Sequence, residues 1–222
     1  NYGDVTMLAT KIRATNQLNN NNRSRIRVDK TRKLPIWDGE DWTELTATRS
    51  PIWAVVDIMK ADYGGRLVDQ FLRLDDLKTL ADELETREDY FDFIFDQRLT
   101  VWAAAQQTMR AARSVPMLFG SQVSAVRDGV KTSIQGIFNK ENIVKGTFRW
   151  DLRLSGNSEF DHVVVEYTDP GDGLPAEVLC RLPGDGEDYP ELLKMPGITS
   201  RNQAYREGMF YRSTKRDHKE TI

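Results

Sequence analysis

Apolar residues recur at helical spacing in four stretches. Ile52, Val55, Val56 and Met59 form the first. Ser50 precedes it as an N-cap, Pro51 takes the first helical position, where a missing N–H costs nothing, and Gly64-Gly65 end the pattern. Leu74, Leu77, Leu80, Ala81 and Leu84 share one face of a second helix over 74–88, with Asp75 and Asp76 at the positive end of its dipole. A third, "TVWAAAQQTMRAARSV", is predicted from Thr100 to a stop at Pro116. The last is predicted from about Thr199-Ser200, with Ala204, Tyr205, Gly208, Met209 and Tyr211 on one side.

Elsewhere the period is two. "YFDFIFDQ" predicts a half-buried strand, with Phe91, Phe93 and Phe95 on one face and Asp92, Ile94 and Asp96 on the other. "MLFGSQVSAVRD" predicts a hairpin with Gly120-Ser121 at its tip. Near the start, "VTMLATKIRA" and "RSRIRVDK" are predicted strands around the polar tip Asn19–Asn22, followed by the turn-rich "KLPIWDGEDW" with Pro35 and Asp38-Gly39 as breakers. After Asn142 come "GTFRWDLRL", "FDHVVVEYTD" and "PAEVLCRL", which read as antiparallel sheet with one wet face. The pattern gives an α+β chain in which a helix–strand–helix–hairpin unit lies between strand-rich segments.

The chain has 222 residues, enough for one large domain or two small ones. With 39% hydrophobic and 29% charged residues it has the composition of a polar globular protein rather than a disordered one. Its apolar runs fall far short of the ~18 residues a membrane helix requires, and the start shows no basic leader or apolar h-region. Cys180 is the lone cysteine, which excludes an internal disulfide and a multi-cysteine zinc site and suits a reducing compartment. His162 and His218 are too few for a histidine-rich metal centre.

The net charge of -3 is unevenly spread. Residues 1–33 hold eight basic groups against Asp4 and Asp29, and residues 75–96 hold nine acidic groups against Lys78 and Arg87. Such asymmetry fits complementary surfaces in an assembly or ordinary solvated faces. The chain opens at Asn1 ahead of a strand-like run and closes at "HKETI", and so reads as a piece of a longer protein.

The tetrapeptide PGDG occurs twice, at either end of "LPAEVLCRL". Asp169, Asp172, Asp185, Glu187 and Asp188 do not reproduce the ligand spacing of a calcium loop, whereas Pro and Gly at these positions suit chain reversals. Two turns are the expectation. For glycoside hydrolysis, Asp92 or Asp96 would have to converge with Glu166 or Asp169. His162, Asp161 and Ser158 invite comparison with a triad, without a nucleophile elbow or oxyanion-hole glycines. "GGRLVDQ" lacks the Lys-Thr or Lys-Ser of a phosphate-binding loop. Arg201, Arg206, Arg212, Lys215, Arg216 and Lys219 make the last helix mildly basic, too little to imply specific nucleic-acid binding. Trp37, Trp42 and Trp150 are the candidates for an exposed aromatic platform. No residue is assigned as catalytic, cofactor-binding or metal-binding, and no cofactor is expected.

Three groups of segments carry a resemblance. "MLATKIRATNQLN" and "RKLPIWDGEDWTELTATRSPIWAVVDIMKADYGG" place a strand, a W-D-G turn and an S-P-x-W helix in order. "IFNKENIVKGTFRWDLRLSGNSEFDHVVVEYTDP" and "PGITSRNQAYREGMFYRSTKRDHKETI" follow. In this order the chain, from about Met7 to Ile222, resembles phage tail-tip proteins of the lambda host-specificity (protein J) type. The stretch Asp169–Pro196 matches loosely. The resemblance implies an antiparallel, barrel- or sandwich-like β hub domain from residues 1–49 and 143–222, with residues 50–142 inserted as an α+β subdomain. It further implies a non-catalytic part of the virion tail that assembles with itself as a trimer, contacts other tail-tip and tail-tube proteins, and carries downstream receptor-binding domains. Against it stand a cell-envelope glycan or peptidoglycan hydrolase and a receptor- or glycan-binding module of the tail.

Overall fold

A computed structural model describes Val28 and residues 30–131, 134, 136–139, 141–149, 151–152, 160–217 and 220–221. The chain divides into two units, Asn1–Lys30 and Thr31–Ile222, and every described helix and strand belongs to the second. The predicted N-terminal hairpin lies outside the described residues, apart from Val28 and Lys30.

The second unit is α+β. A two-stranded ladder, β1 (Lys33–Leu34) with β2 (Thr46–Ala47), leads into α1 (Pro51–Lys60). The predicted apolar face is the one buried: Ile52, Val55, Val56 and Met59 are each under 5% exposed, and each such side chain contributes roughly 1.5–3 kcal/mol on burial. Ser50 does hold the N-cap position, its carbonyl accepting the Ala54 N–H at 3.1 Å. Its hydroxyl, however, caps nothing and is buried without a partner among the described residues. A 3-10 turn, Asp69–Phe71, precedes α2 (Leu74–Thr86), whose Leu77, Leu80, Ala81 and Leu84 are buried as predicted.

Two expectations fail between α2 and the hairpin. "YFDFIFDQ" is extended but joins no sheet. Its ordered backbone bonds run to loops, from Phe91 N–H to the Arg49 carbonyl and from Asp92 N–H to the Gly197 carbonyl. The phenylalanines do share a side, with ring centroids 5.1–6.2 Å apart, but only Phe91 is buried. The third helix, α3 (Val101–Arg110), is capped by the Thr100 hydroxyl, which accepts the Ala103 N–H at 3.1 Å, and it ends well before Pro116. Arg113, at φ +53°, turns the chain into β3 (Ser114–Phe119), which pairs antiparallel with β4 (Gln122–Arg127). Gly120 at φ +62° serves the first position of the two-residue turn. Counting back from the hydrogen-bonded pair Phe119–Gln122, Pro116 falls at a position whose N faces away from β4, so the ladder loses no bond.

Helices α1, α2 and α3 close on Leu34, Leu72 and Val123 to form one apolar core. A second core lies under a three-stranded sheet. There β6 (His162–Thr168) is central, antiparallel to β7 (Pro175–Cys180) and parallel to β8 (Pro190–Lys194). The sheet is thus mixed, where the pattern predicted antiparallel pairing throughout. Helix α4 (Arg201–Asp217) covers one face, burying Val163, Val165, Val178, Cys180 and Ala204. A short ladder of β5 (Asp151–Leu152) with β9 (Glu220–Thr221) completes four small sheets, none of them closed into a barrel among the described residues.

Helix α4 approaches the sheet closely because residue 208 has no side chain. A Cβ on Gly208 would overlap Cys180 Sγ and Val165 Cγ2. Gly208→Ala should therefore cost about 1–3 kcal/mol in urea unfolding through overpacking, rather than giving the gain a solvent-exposed helical Gly→Ala change would give.

Candidate functional site

Gly197, Thr199, Gln203 and Arg206 of the "PGITSRNQAYRE" segment meet the segment 87–93 around the start of α4. Gly197, at φ +90°, lies against the Phe91 ring, which a Cβ there would overlap. The Thr199 hydroxyl donates to Asp92 Oδ2 at 2.5 Å. Arg49 grips the same carboxylate with Nε at 2.9 Å and Nη2 at 2.5 Å, and its guanidinium stacks over Tyr90 at 4.6 Å. Burial works against the charge on Asp92, but the Arg49 and Thr199 hydrogen bonds outweigh it, and its pKa falls below the usual aspartate value.

One helical turn on, the fully buried Gln203 amide accepts from Tyr90 N–H at 3.1 Å and donates to the Tyr90 and Ala111 carbonyls at 3.0 and 2.9 Å. Arg206 donates to the Arg87 carbonyl and to Asp89, which also receives Arg87. Glu207 takes Arg113 in a bidentate pair at 2.9 and 3.0 Å. Further along, Arg212 does the same with Asp185 of the second PGDG, at 2.8 and 2.9 Å, both side chains being under 5% exposed. The Arg212 hydrogen bonds are the largest influence on Asp185 and hold its pKa down against burial.

Both PGDG stretches are turns, as expected. In the first, Asp169 accepts the Gly171 N–H and Asp172 the Leu174 N–H. The second is also the anchor for Arg212. No group of three or more His, Cys, Asp or Glu side chains converges on a possible metal position among the described residues.

The carboxylates named for hydrolysis are engaged separately. Asp92 is held by Arg49 and Thr199, Glu166 faces Lys194 at 3.4 Å, and Asp96 stands exposed. Asp169 lines an open recess of about 510 Å³ with Arg49, Glu88, Tyr90, Thr199 and Arg201, in which two guanidiniums and two carboxylates balance. His162 and Asp161 do meet, at 2.6 Å between Nδ1 and Oδ1, but Asp161 also accepts the Asp188 and Tyr189 N–H groups and so ties β6 to the loop before β8. Ser158 lies outside the described residues, as do Trp150 and Lys219. Burial pushes the Cys180 thiol up to about 11, which leaves it an unreactive packing residue.

Asp92, Asp161 and Asp185 all have folded-state pKa values below those of the unfolded chain. Their contribution is complete above the unfolded value of ~3.9 and is lost as pH falls through the folded values. Urea midpoints followed from pH 7 to pH 2 should stay level, as far as these groups decide, until about pH 5 and then drop.

Sequence reading missed Arg49, Gln203, Glu207 and Arg113 as a set. The available signal was Ala204 and Gly208 at i, i+4, which mark the buried face of α4 and put Gln203 and Glu207 beside it. No helix among the described residues is long and apolar enough to cross a membrane. Compared with protein-family models and with curated proteins, the chain matches none.

Proposed function

We propose that the chain is a non-catalytic structural hub of a phage or prophage tail tip, resident in the virion tail and part of the host-attachment apparatus. It assembles with copies of itself as a trimer and with other tail-tip and tail-tube proteins, and supports receptor-binding domains of the same chain. The observation that carries this reading is how the motif residues are used. Gly197, Thr199, Gln203, Ala204 and Arg206 pack or clamp α4 against neighbouring segments. In the W-D-G turn, Asp38 accepts the Glu40 and Asp41 N–H groups and Gly39 takes φ +117°. In the S-P-x-W helix, Pro51 and Trp53 are buried and Asp57 meets Arg32 at 3.1 Å. Motifs that hold a frame together suit a part that must transmit and resist force.

The face of the three-stranded sheet opposite α4, which no described helix covers, adds support for assembly. Leu179, Val164 and Leu192 form a row across it in register, followed by Glu177, Glu166 and Lys194. Leu179 and Leu192 are nearly half exposed, an arrangement suited to contact with another subunit. The hydrolase reading has less behind it, since Asp92 is already held by Arg49 and Thr199.

Immunogold labelling with an antibody to this chain tests the placement, on tailed particles released by a bacterium that carries it. The expected result is label confined to the distal tip of the tail. Label on heads or along the tube, or in free protein alone, would overturn it.

A further inference from the structure

We infer that the recess between the Trp37–Trp42 turn and the start of α2 is a binding site for a neutral saccharide. This goes beyond the hub reading and does not depend on it. The recess has a volume of about 350 Å³, within the range of about 300–1,000 Å³ common for small-molecule sites, and is lined by Trp37, Leu72, Arg73, Asp75, Asp76 and Gln122. That combination matches the chemistry of a sugar ring, which offers an apolar C–H face to an aromatic plane and hydroxyls to acceptors and donors around its edge.

The wall is fixed in place. Trp37 pairs with Trp42 across an isolated bridge, their rings meeting edge to face at 5.5 Å, and its indole N–H reaches Asp75 Oδ1 at 3.3 Å. Trp42 is held in turn by Asp69 at 2.9 Å and by Lys60, whose ammonium lies 3.7 Å from its ring centre. Half-buried Trp37 therefore presents a braced indole rather than a mobile one.

The rim is equally set. Arg73 is pinned between Asp76, at 2.7 Å from Nε, and the Phe119 ring at 5.0 Å. Gln122 is oriented by its Nε2, which donates to the Gln70 carbonyl at 3.0 Å. After these bonds, Asp75 Oδ2, Gln122 Oε1 and the Arg73 Nη groups have no hydrogen-bond partner among the described residues. Two acceptors and a forked donor thus border one aromatic wall. Two carboxylates against one guanidinium make the rim net negative, which favours neutral sugars over acidic ones.

The test uses ¹H–¹⁵N spectra of the chain titrated with maltotriose, triacetylchitotriose and, as the acidic comparison, trigalacturonic acid. The chain has five tryptophans, and the Trp37 indole signal is the one missing in Trp37→Phe. We expect that signal to shift saturably with at least one neutral trisaccharide, at a Kd on the order of 1 mM, and to stay put with trigalacturonic acid. Gln122→Ala, which leaves Trp37 and its packing alone, should weaken binding about threefold to tenfold. A Trp37 signal unmoved by both neutral sugars would overturn the proposal, as would equal binding of the acidic one or undiminished binding by Gln122→Ala.

Discussion

Replacing Arg212 by Leu is expected to cost about 3–5 kcal/mol of folding stability. The guanidinium and the Asp185 carboxylate are both under 5% exposed and joined by two hydrogen bonds. Without Arg212, Asp185 keeps the Leu182 N–H at 2.8 Å and a long approach from the part-exposed Arg216 at 3.8 Å. A buried carboxylate with so little compensation is costly in its charged form. At a urea slope of about 1–3 kcal/mol per molar, the midpoint should fall by more than about 1 M. Two controls separate the pair from simple loss of packing. Arg212→Leu combined with Asp185→Leu should recover much of the loss, because no lone charge remains. In the single variant Asp185 loses the Arg212 hydrogen bonds, the largest influence holding its pKa down, so its pKa rises above the parent's; the deficit against the parent should shrink as pH falls below that raised value. A deficit that is constant with pH would show that the charge is not its source.

The second large effect is expected at Gln203. Gln203→Leu keeps the volume but strands three backbone groups, the Tyr90 N–H, the Tyr90 carbonyl and the Ala111 carbonyl. At about 1–3 kcal/mol for each unsatisfied buried group, the total should be roughly 3 kcal/mol or more. Gln203→Glu is the sharper probe. It retains an acceptor for the Tyr90 N–H yet turns a carboxylate oxygen toward two carbonyls, so it should rescue nothing near neutral pH. Guanidinium denaturation of both variants checks this, and a loss under about 1 kcal/mol in either would mean that the amide is not the clamp the distances suggest.

These two residues show where the sequence was legible and where it was not. Helices α1 and α2 were readable because their apolar faces repeat locally, and the β3–β4 turn because Gly120 meets a backbone requirement that few other residues meet. The PGDG turns were readable for the same reason. Pro116 misled because a proline marks either a helix stop or an open strand edge, and only the neighbouring strand decides between them. "YFDFIFDQ" misled because alternation shows which side chains share a face, while a strand also needs a partner, and here the backbone bonds go to Arg49 and Gly197. The parallel partner β8 is short, begins at a proline and has no strong alternation, so only tertiary pairing reveals it. The clamps of α4 were hidden for a different reason. Gln203, Arg206, Glu207 and Arg212 look like the wet side of an ordinary helix, and their partners lie up to 119 positions away in the chain.

Solution mass tests the central claim most directly, measured by light scattering over a concentration series on this chain and on one extended past Ile222. A hub predicts a trimer, in the extended chain if not in both, with the oligomer weakened when Leu179 and Leu192 are changed to Asp. Strict monomers for both chains at every concentration would contradict it.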